Sequence, residues 1–264
     1  GAGVTEFAVG DAVVSTFFPH WLAGRHVPSD FKLVPGDGVD GFARESVTLP
    51  ATAFTSAPRG WSHAEAATLT TAGLTAWRAL VVDGGLQAGD TVLVLGTGGV
   101  SIFALQMAKS MGARVIATTS SNAKAEQLKA LGADVVINYK DTPEWGNAVL
   151  AATGGRGADI VVEVGGPGTL PQSIRACAPG GHIALIGVLT GFAGAVPTAD
   201  MMGKQATLKG LVVGSREHQQ DMVRALELFA WKPVIDRRYP LEQLPAAFAH
   251  QQSGQHFGKI VVHY

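Results

Sequence analysis

A glycine-rich turn after an apolar run is the part of this chain most suited to ligand chemistry. Residues 91–95 (Thr-Val-Leu-Val-Leu) read as a buried strand, and residues 96–101 (Gly-Thr-Gly-Gly-Val-Ser) follow directly. Glycines let the backbone approach a pyrophosphate, and the N-terminus of the next helix supplies unsatisfied N–H groups and a positive dipole end. The turn alone is weak evidence, since Ser101 stands at its third glycine position in a chain with 34 Gly. A helical pattern over 102–112 and a β-rich run over 114–119 complete a βαβ unit, which predicts a dinucleotide site.

The choice of dinucleotide depends on the segment that follows the second strand. Residues 120–124 (Ser-Ser-Asn-Ala-Lys) contain no carboxylate. An acid there would accept hydrogen bonds from the adenosine ribose and repel a 2′-phosphate, whereas hydroxyls and a lysine suit the phosphate. The segment therefore predicts NADP(H), with NAD(H) the less favoured cofactor.

Strands and helices alternate through the middle of the chain. Further strands are expected at 134–139, 159–164, 182–187 and 207–213, and helices at 123–131, 143–152 and 170–178. Six parallel strands with short glycine-rich joins predict an α/β fold with one doubly wound sheet, whose ligand crevice lies at the carboxyl ends of the strands.

The two flanks have a different pattern. Residues 1–58 are richer in Pro, Gly and Phe, with short strand-like pieces such as 45–50, and residues 215–264 predict a helix over 218–231, a strand at 234–239, a helix over 241–252 and a strand at 258–263. We interpret the flanks as two parts of a second, mainly β domain around a central nucleotide-binding domain at 59–214.

Composition excludes several classes of function. A net charge of −1 and a pI near 6.8 argue against electrostatically driven nucleic-acid binding, so a small-molecule partner is expected. The single cysteine, Cys177, allows no intrachain disulfide and no cysteine-based zinc cluster. No apolar run is long enough for a membrane span and no signal peptide is recognisable, so a cytoplasmic protein without a membrane partner is expected.

Motifs spread over the whole chain resemble those of the medium-chain dehydrogenase/reductase superfamily, in particular its zinc-free quinone oxidoreductase and enoyl-reductase-like branch. They are the glycine turn and the segments 9–13 (Val-Gly-Asp-Ala-Val), 64–68 (Ala-Glu-Ala-Ala-Thr), 73–77 (Gly-Leu-Thr-Ala-Trp), 131–134 (Leu-Gly-Ala-Asp), 137–139 (Ile-Asn-Tyr) and 257–261 (Phe-Gly-Lys-Ile-Val). The resemblance implies a Rossmann-type sheet, a GroES-like catalytic domain built from both chain ends, and a homodimer. It also implies that the chain begins within the catalytic domain, part of which would lie before Gly1.

The resemblance also assigns site residues. Thr71, as the catalytic-site residue, and Thr75 would approach the nicotinamide and its ribose. The remaining cofactor-binding residues would be Gly96, Thr97, Gly98, Gly99 and Val100 at the pyrophosphate, Ser120, Lys124 and Tyr139 at the adenosine ribose and its phosphate, Val164, Gly165, Gly187 and Val188 at the crevice mouth, and Ser215, Arg216, Phe257 and Lys259 closing over the cofactor.

Each of these residues also has a purely structural interpretation. The two threonines could cap a helix, and Lys124 could be a solvated lysine on its helix. Tyr139 could be a packing aromatic, and Arg216 could pair with Glu217 or bond the backbone.

Zinc is not expected. Zinc-using relatives carry a ligand, usually a cysteine, two residues before the 73–77 segment, where this chain has Thr71, a poor zinc ligand, and residues 14–35 contain no structural-zinc cysteines. Without a Lewis acid, hydride transfer from NADPH to a quinone or an α,β-unsaturated carbonyl is easier to support than oxidation of an alcohol. Two alternatives stay open: an NAD(P)-dependent alcohol dehydrogenase, with or without zinc, and a nucleotide-binding protein without turnover.

Overall fold

The computed structural model describes residues 1–264 and contains two compact units. The central unit comprises Thr75–Val212 and the short segment His256–Gly258. The flanking unit comprises Gly1–Leu74, Val213–Gln255 and Lys259–Tyr264, so both chain ends contribute to it.

Ten strands and nine α-helices make up the regular structure. The strands are β1 (Val13–Ser15), β2 (Phe54–Ser56), β3 (Thr91–Leu95), β4 (Arg114–Thr119), β5 (Val135–Asn138), β6 (Ala158–Glu163), β7 (Cys177–Leu185), β8 (Thr207–Gly210), β9 (Ile235–Pro240) and β10 (Lys259–His263). The helices are α1 (His63–Ala66), α2 (Leu74–Trp77), α3 (Gly99–Ser110), α4 (Asn122–Ala130), α5 (Trp145–Ala152), α6 (Leu170–Ala176), α7 (Thr198–Lys204), α8 (Arg216–Leu226) and α9 (Leu244–Gln252). Two 3₁₀ turns (Ala51–Ala53, Leu241–Gln243) and two π-helical turns (Leu69–Gly73, Arg78–Val82) complete the list. None of the helices combines the length and apolar character needed to cross a bilayer.

The central unit is a six-stranded parallel sheet in the order β5-β4-β3-β6-β7-β8. The chain runs outward from β3 to β5 on one side and from β6 to β8 on the other, so the order reverses between β3 and β6. This arrangement confirms the predicted doubly wound α/β sheet. In such sheets a ligand crevice lies at the carboxyl ends of the strands where the order reverses.

The sheet forms because its strands are apolar on both faces. All five residues of β3 are buried, as are five of the six residues of β4 and β6. One core cluster packs β3, β4, β6 and β7 against α5 and α6 through side chains that include Leu93, Ile116, Val149, Val161, Ile174 and Ile183. A rigid, buried sheet of this kind fixes where its strand ends lie.

Two elements of the central unit differ from the sequence prediction. Strand β7 begins at Cys177, which pairs with Ala158, and not at residue 182; the helix before it ends at Ala176. Strand β8 ends at Gly210 and does not reach Val213, whose backbone has φ +47°. A positive φ is incompatible with strand geometry, so pairing with β7 stops before this residue.

The flanking unit contains short strands. Strands β1 and β2 pair antiparallel, and β9 and β10 pair in parallel. Gln219 of α8 holds the first pair, since its side-chain amide donates to the Ser15 carbonyl (3.1 Å) and the Thr55 hydroxyl (2.8 Å). The expected strand at 45–50 is wrong, because these residues form no ladder.

Candidate nucleotide-binding site

The conformation of the glycine turn after β3 is fixed by hydrogen bonds to neighbouring strand ends. Gly96 has φ +71°, and its N–H donates to the Thr118 carbonyl at 3.0 Å. Ser101, at the third glycine position, is buried and its hydroxyl donates to the Leu95 carbonyl at 2.6 Å. The serine hydroxyl therefore ties the start of the helix back to the strand end, so this departure from the usual glycine pattern leaves the turn intact.

The space above this turn is open. A Cβ built on Gly96 or Gly98 would meet no atom within 4 Å, and Gly98 stands at the N-cap of α3. The first N–H groups of a helix have no intrahelical acceptor, and the helix dipole places partial positive charge there. An open cradle of N–H groups at the end of a central strand fits a pyrophosphate.

The segment His256–Gly258 packs against the glycine turn. The Gly258 N–H donates to the Thr97 carbonyl at 2.9 Å, and Gly258 forms a parallel bridge with Gly98. Phe257 is buried, and the His256 carbonyl accepts a hydrogen bond from Lys124 Nζ at 2.9 Å. The segment His256–Gly258 thus contacts both the glycine turn and Lys124. The sequence pattern gives no means of predicting these contacts.

The predicted adenosine end lies where β4 and β5 finish. Thr119 pairs with Asn138, and the Tyr139 N–H donates to the Thr119 carbonyl at 2.9 Å, so Ser120 and Tyr139 leave adjacent strand ends. Tyr139 is 40% exposed, which is against its interpretation as a packing aromatic. Lys124 lies in the first turn of α4, is half-buried and has a fixed partner, so it is not a freely solvated lysine.

A buried carboxylate that the sequence analysis did not select lies beside the crevice, at the end of β6. Glu163 is 0% exposed, and its side chain accepts hydrogen bonds from the N–H groups of Gly165 (2.7 Å) and Gly166 (3.0 Å). The available signal was an acid inside the apolar run Ile-Val-Val-Glu-Val at 160–164.

The loops after β6 and β7 are joined to each other. The Thr190 hydroxyl donates to the Gly165 carbonyl (2.8 Å) and accepts from the Gly168 N–H (2.8 Å). A Cβ on Gly187 would lie 1.8 Å from the Val164 carbonyl oxygen, so these backbones touch. The predicted pair Val164 and Gly165 therefore lies together with Gly187 and its neighbour Val188, which is 49% exposed.

The other predicted residues occupy varied settings. Thr75 belongs to the central unit and is buried. Thr71 belongs to the flanking unit and is exposed in the π-helical turn. Neither threonine caps a helix through its side chain. The N-caps of the two π-helical turns are Thr68 and Trp77, and neither makes a side-chain capping bond.

Three predicted residues of the flanking unit have local structural roles or an unusual environment. Ser215 forms a capping box at the start of α8. Arg216 donates to the Phe54 carbonyl at 2.9 Å, in keeping with the backbone-bonding alternative, and its ion pair is with Glu6, not with Glu217. Burial lowers the pKa of Lys259, which directly follows the segment His256–Gly258 in sequence. For Ser215 and Arg216 the structure supplies a stabilising role whatever else they do.

Comparison with known proteins identifies the family. Residues 99–231 match the family model described as a zinc-binding dehydrogenase. A zinc-type alcohol dehydrogenase-like protein of Schizosaccharomyces pombe is 41% identical over 99% of this chain and 78% of its own length. Together with the sheet and the glycine turn, these matches define a dehydrogenase of the medium-chain type.

Two solved structures agree. One is a Sinorhizobium meliloti 1021 protein assigned as an alcohol dehydrogenase, which is 45% identical with a TM-score of 0.94 over 100% of this chain and 78% of that one. The other is described as an NAD-dependent alcohol dehydrogenase and is 36% identical with a TM-score of 0.81 over 88% of this chain and 67% of that one. The chain belongs to the zinc-type alcohol dehydrogenase-like family of the medium-chain dehydrogenase/reductase superfamily, and is an NAD(P)-dependent oxidoreductase.

The family description raises the question of zinc. Among residues 1–264 no group of three His, Cys, Asp or Glu side chains is placed to hold a metal ion. Cys177 is buried, and burial raises the pKa of its thiol to about 11, so it does not supply the thiolate that zinc requires. The residues present do not fit a zinc site.

Proposed function

We propose that this protein is an NADP(H)-dependent oxidoreductase that transfers a hydride between its cofactor and a small carbonyl compound or alcohol. The observation that carries the cofactor assignment is the acid-free end of β4. There Lys124 is held by the His256 carbonyl, and Ser120 and Tyr139 follow the adjacent ends of β4 and β5. A phosphate dianion accepts charge-assisted hydrogen bonds from a lysine, whereas a carboxylate at this place would repel it. One structural relative is described as NAD-dependent, so the assignment rests on these residues of the chain itself.

The protein's contribution to the reaction is mainly binding and orientation. The bound nicotinamide supplies or accepts the hydride. The N-terminus of α3 would hold the pyrophosphate and so would fix the position of the cofactor. The joined loops after β6 and β7 offer a rigid edge where the nicotinamide end would lie, and a fixed geometry of this kind lowers the entropic part of the barrier.

The first candidate for the substrate class comes from the family. The three relatives named above are described as alcohol dehydrogenases or as similar to them, which favours interconversion of an alcohol and a carbonyl compound. A second candidate is reduction of a quinone or an α,β-unsaturated carbonyl. It is favoured by the lack of a metal-binding group among residues 1–264 and by Thr71, because such a reduction needs only hydrogen-bond donors and a proton from solvent. Homodimer formation and a cytoplasmic location stay predictions.

The test is a pair of measurements on the purified protein. Titration with NADPH and NADH should show tighter binding of NADPH; equal affinity would reject the phosphate site, and no binding of either would reject the function. NADPH oxidation is then followed with an aldehyde, a simple quinone and an enone, before and after dialysis against a chelator. Chelator-sensitive aldehyde turnover identifies a zinc alcohol dehydrogenase, chelator-resistant quinone or enone turnover identifies the second candidate, and binding without turnover identifies a nucleotide-binding protein.

A further inference from the structure

Glu163 is a fully buried acid whose bonding partners are all neutral donors. Besides the two N–H groups after β6, its carboxylate accepts from the Thr169 hydroxyl at 2.6 Å and from the Ser173 hydroxyl. None of the ion pairs of the protein includes it. Two of these partners are backbone N–H groups, which can only donate, and hydrogen bonds of this kind favour the charged form of a carboxylate. In that form the negative charge is solvated by dipoles and is not cancelled by a cation.

The fold places this charge at the reversal of strand order. The register pairs Val92, Leu93 and Val94 of β3 with residues 160–162 of β6, so Glu163 comes level with Leu95, the last residue before the glycine turn. The next residues of both strands form the two sides of the crevice mouth. A ligand at the reversal point would lie beyond these strand ends, close to the Glu163 carboxylate.

A buried charge at this place acts differently on the two forms of a nicotinamide cofactor. Loss of the hydride converts the neutral dihydronicotinamide into a cationic ring, with both electrons leaving in the hydride to the substrate. The surrounding side chains of the sheet are apolar and exclude water, so the field of the carboxylate is screened less than at the surface.

We propose that Glu163 stabilises the oxidised, cationic form of the bound nicotinamide relative to the reduced form, and so favours hydride donation by the bound reduced cofactor. This inference rests on the proposed function, because it requires the cofactor to occupy the crevice. It differs from a merely structural role in its readout: a residue that only shapes the turn affects both forms of the cofactor alike, whereas a charge changes their ratio.

The test compares a substitution that removes the charge with one that removes only a hydrogen-bond donor to it. Glu163→Gln removes the charge and nearly preserves the shape, whereas Ser173→Ala keeps the charge and removes one of the dipoles that solvate it. For each protein the dissociation constants of NADP⁺ and NADPH are measured by titration calorimetry at pH 8, and the ratio of the first to the second is compared with wild type. We expect Glu163→Gln to raise this ratio about fivefold or more, since fivefold is the effect of a unit charge about 17 Å away at an effective dielectric constant of about 20 and a closer charge acts more strongly. We expect Ser173→Ala to change the ratio, because it alters the solvation of the charge.

The outcomes separate this inference from the proposed function. Failure of wild type to bind either NADP(H) form rejects both proposals. Normal binding by wild type, with both constants of Glu163→Gln changed by one common factor, overturns the electrostatic role alone. If Glu163→Gln does not fold, Ser173→Ala decides: a changed ratio supports the proposal, and an unchanged ratio overturns it.

Discussion

Replacement of Lys124 by alanine is the sharpest test of cofactor choice. Its ammonium group is held at 2.9 Å from the His256 carbonyl, in the first turn of α4, with no carboxylate in residues 120–124. Against a 2′-phosphate the substitution removes one charge-assisted hydrogen bond, which is worth about 1–3 kcal/mol. NADPH binding should therefore weaken by about 5-fold to 150-fold. NADH carries no phosphate at this position, so its affinity should stay nearly unchanged.

The assay is a fluorescence titration of both reduced cofactors with Lys124→Ala and wild type. A matched control is available on the same helix, since Lys129 pairs with Glu126 at 2.8 Å and its side chain is 57% exposed. Lys129→Ala should leave both affinities unchanged. Equal weakening of NADPH and NADH by Lys124→Ala would show that the lysine acts only by supporting the segment His256–Gly258, and would refute the phosphate role.

Three further predictions concern stability and reactivity. Gly187→Ala should lower the free energy of unfolding by about 1–3 kcal/mol in denaturant titrations, because its Cβ would lie 1.8 Å from the Val164 carbonyl oxygen; Gly203→Ala, whose Cβ would meet no atom within 4 Å inside α7, should stabilise the protein by up to about 1 kcal/mol. For Asp134, burial alone would raise the pKa of the carboxyl, but hydrogen bonds and nearby positive charge hold the pKa below its usual range. Asp134→Asn should therefore lower the free energy of unfolding by about 0.5–1 kcal/mol at pH 7, and this difference should disappear as the pH falls through the folded-state pKa. A loss of stability that does not depend on pH would contradict this prediction. Burial raises the pKa of Cys177 to about 11, so iodoacetamide at pH 8 should label the unfolded protein and not the native one.

The central sheet could be predicted from sequence because its strands are continuous apolar runs that alternate with helical patterns. The two strand boundaries that were predicted wrongly have local causes. Residues 179–181 (Pro-Gly-Gly) lie within β7, and both residue types are poor strand formers, so the sequence pattern does not indicate the first residues of this strand. The positive φ of Val213 has no signature in a β-branched residue, for which that conformation is unfavourable.

The site was predictable only where the pattern is local. The glycine turn and the acid-free segment 120–124 are contiguous in sequence, so their chemistry can be read directly. The partner of Lys124 lies 132 residues away in the sequence. The four donors to Glu163 come from the loop after β6 and from the beginning of α6, and the fold brings them around the carboxylate. Long-range contacts of this kind leave no periodic trace, which is why a structure was needed to find them.

The contact between Gly258 and Thr97 has a consequence for biosynthesis. All six strands of the central sheet lie within residues 91–210, so the sheet can assemble as the nascent polypeptide leaves the ribosome. The backbone that completes its nucleotide cradle is translated after all six strands, since the Gly258 N–H reaches the Thr97 carbonyl only once residue 258 has been synthesised. A polypeptide truncated before His256 would thus have a complete sheet and an incomplete nucleotide cradle.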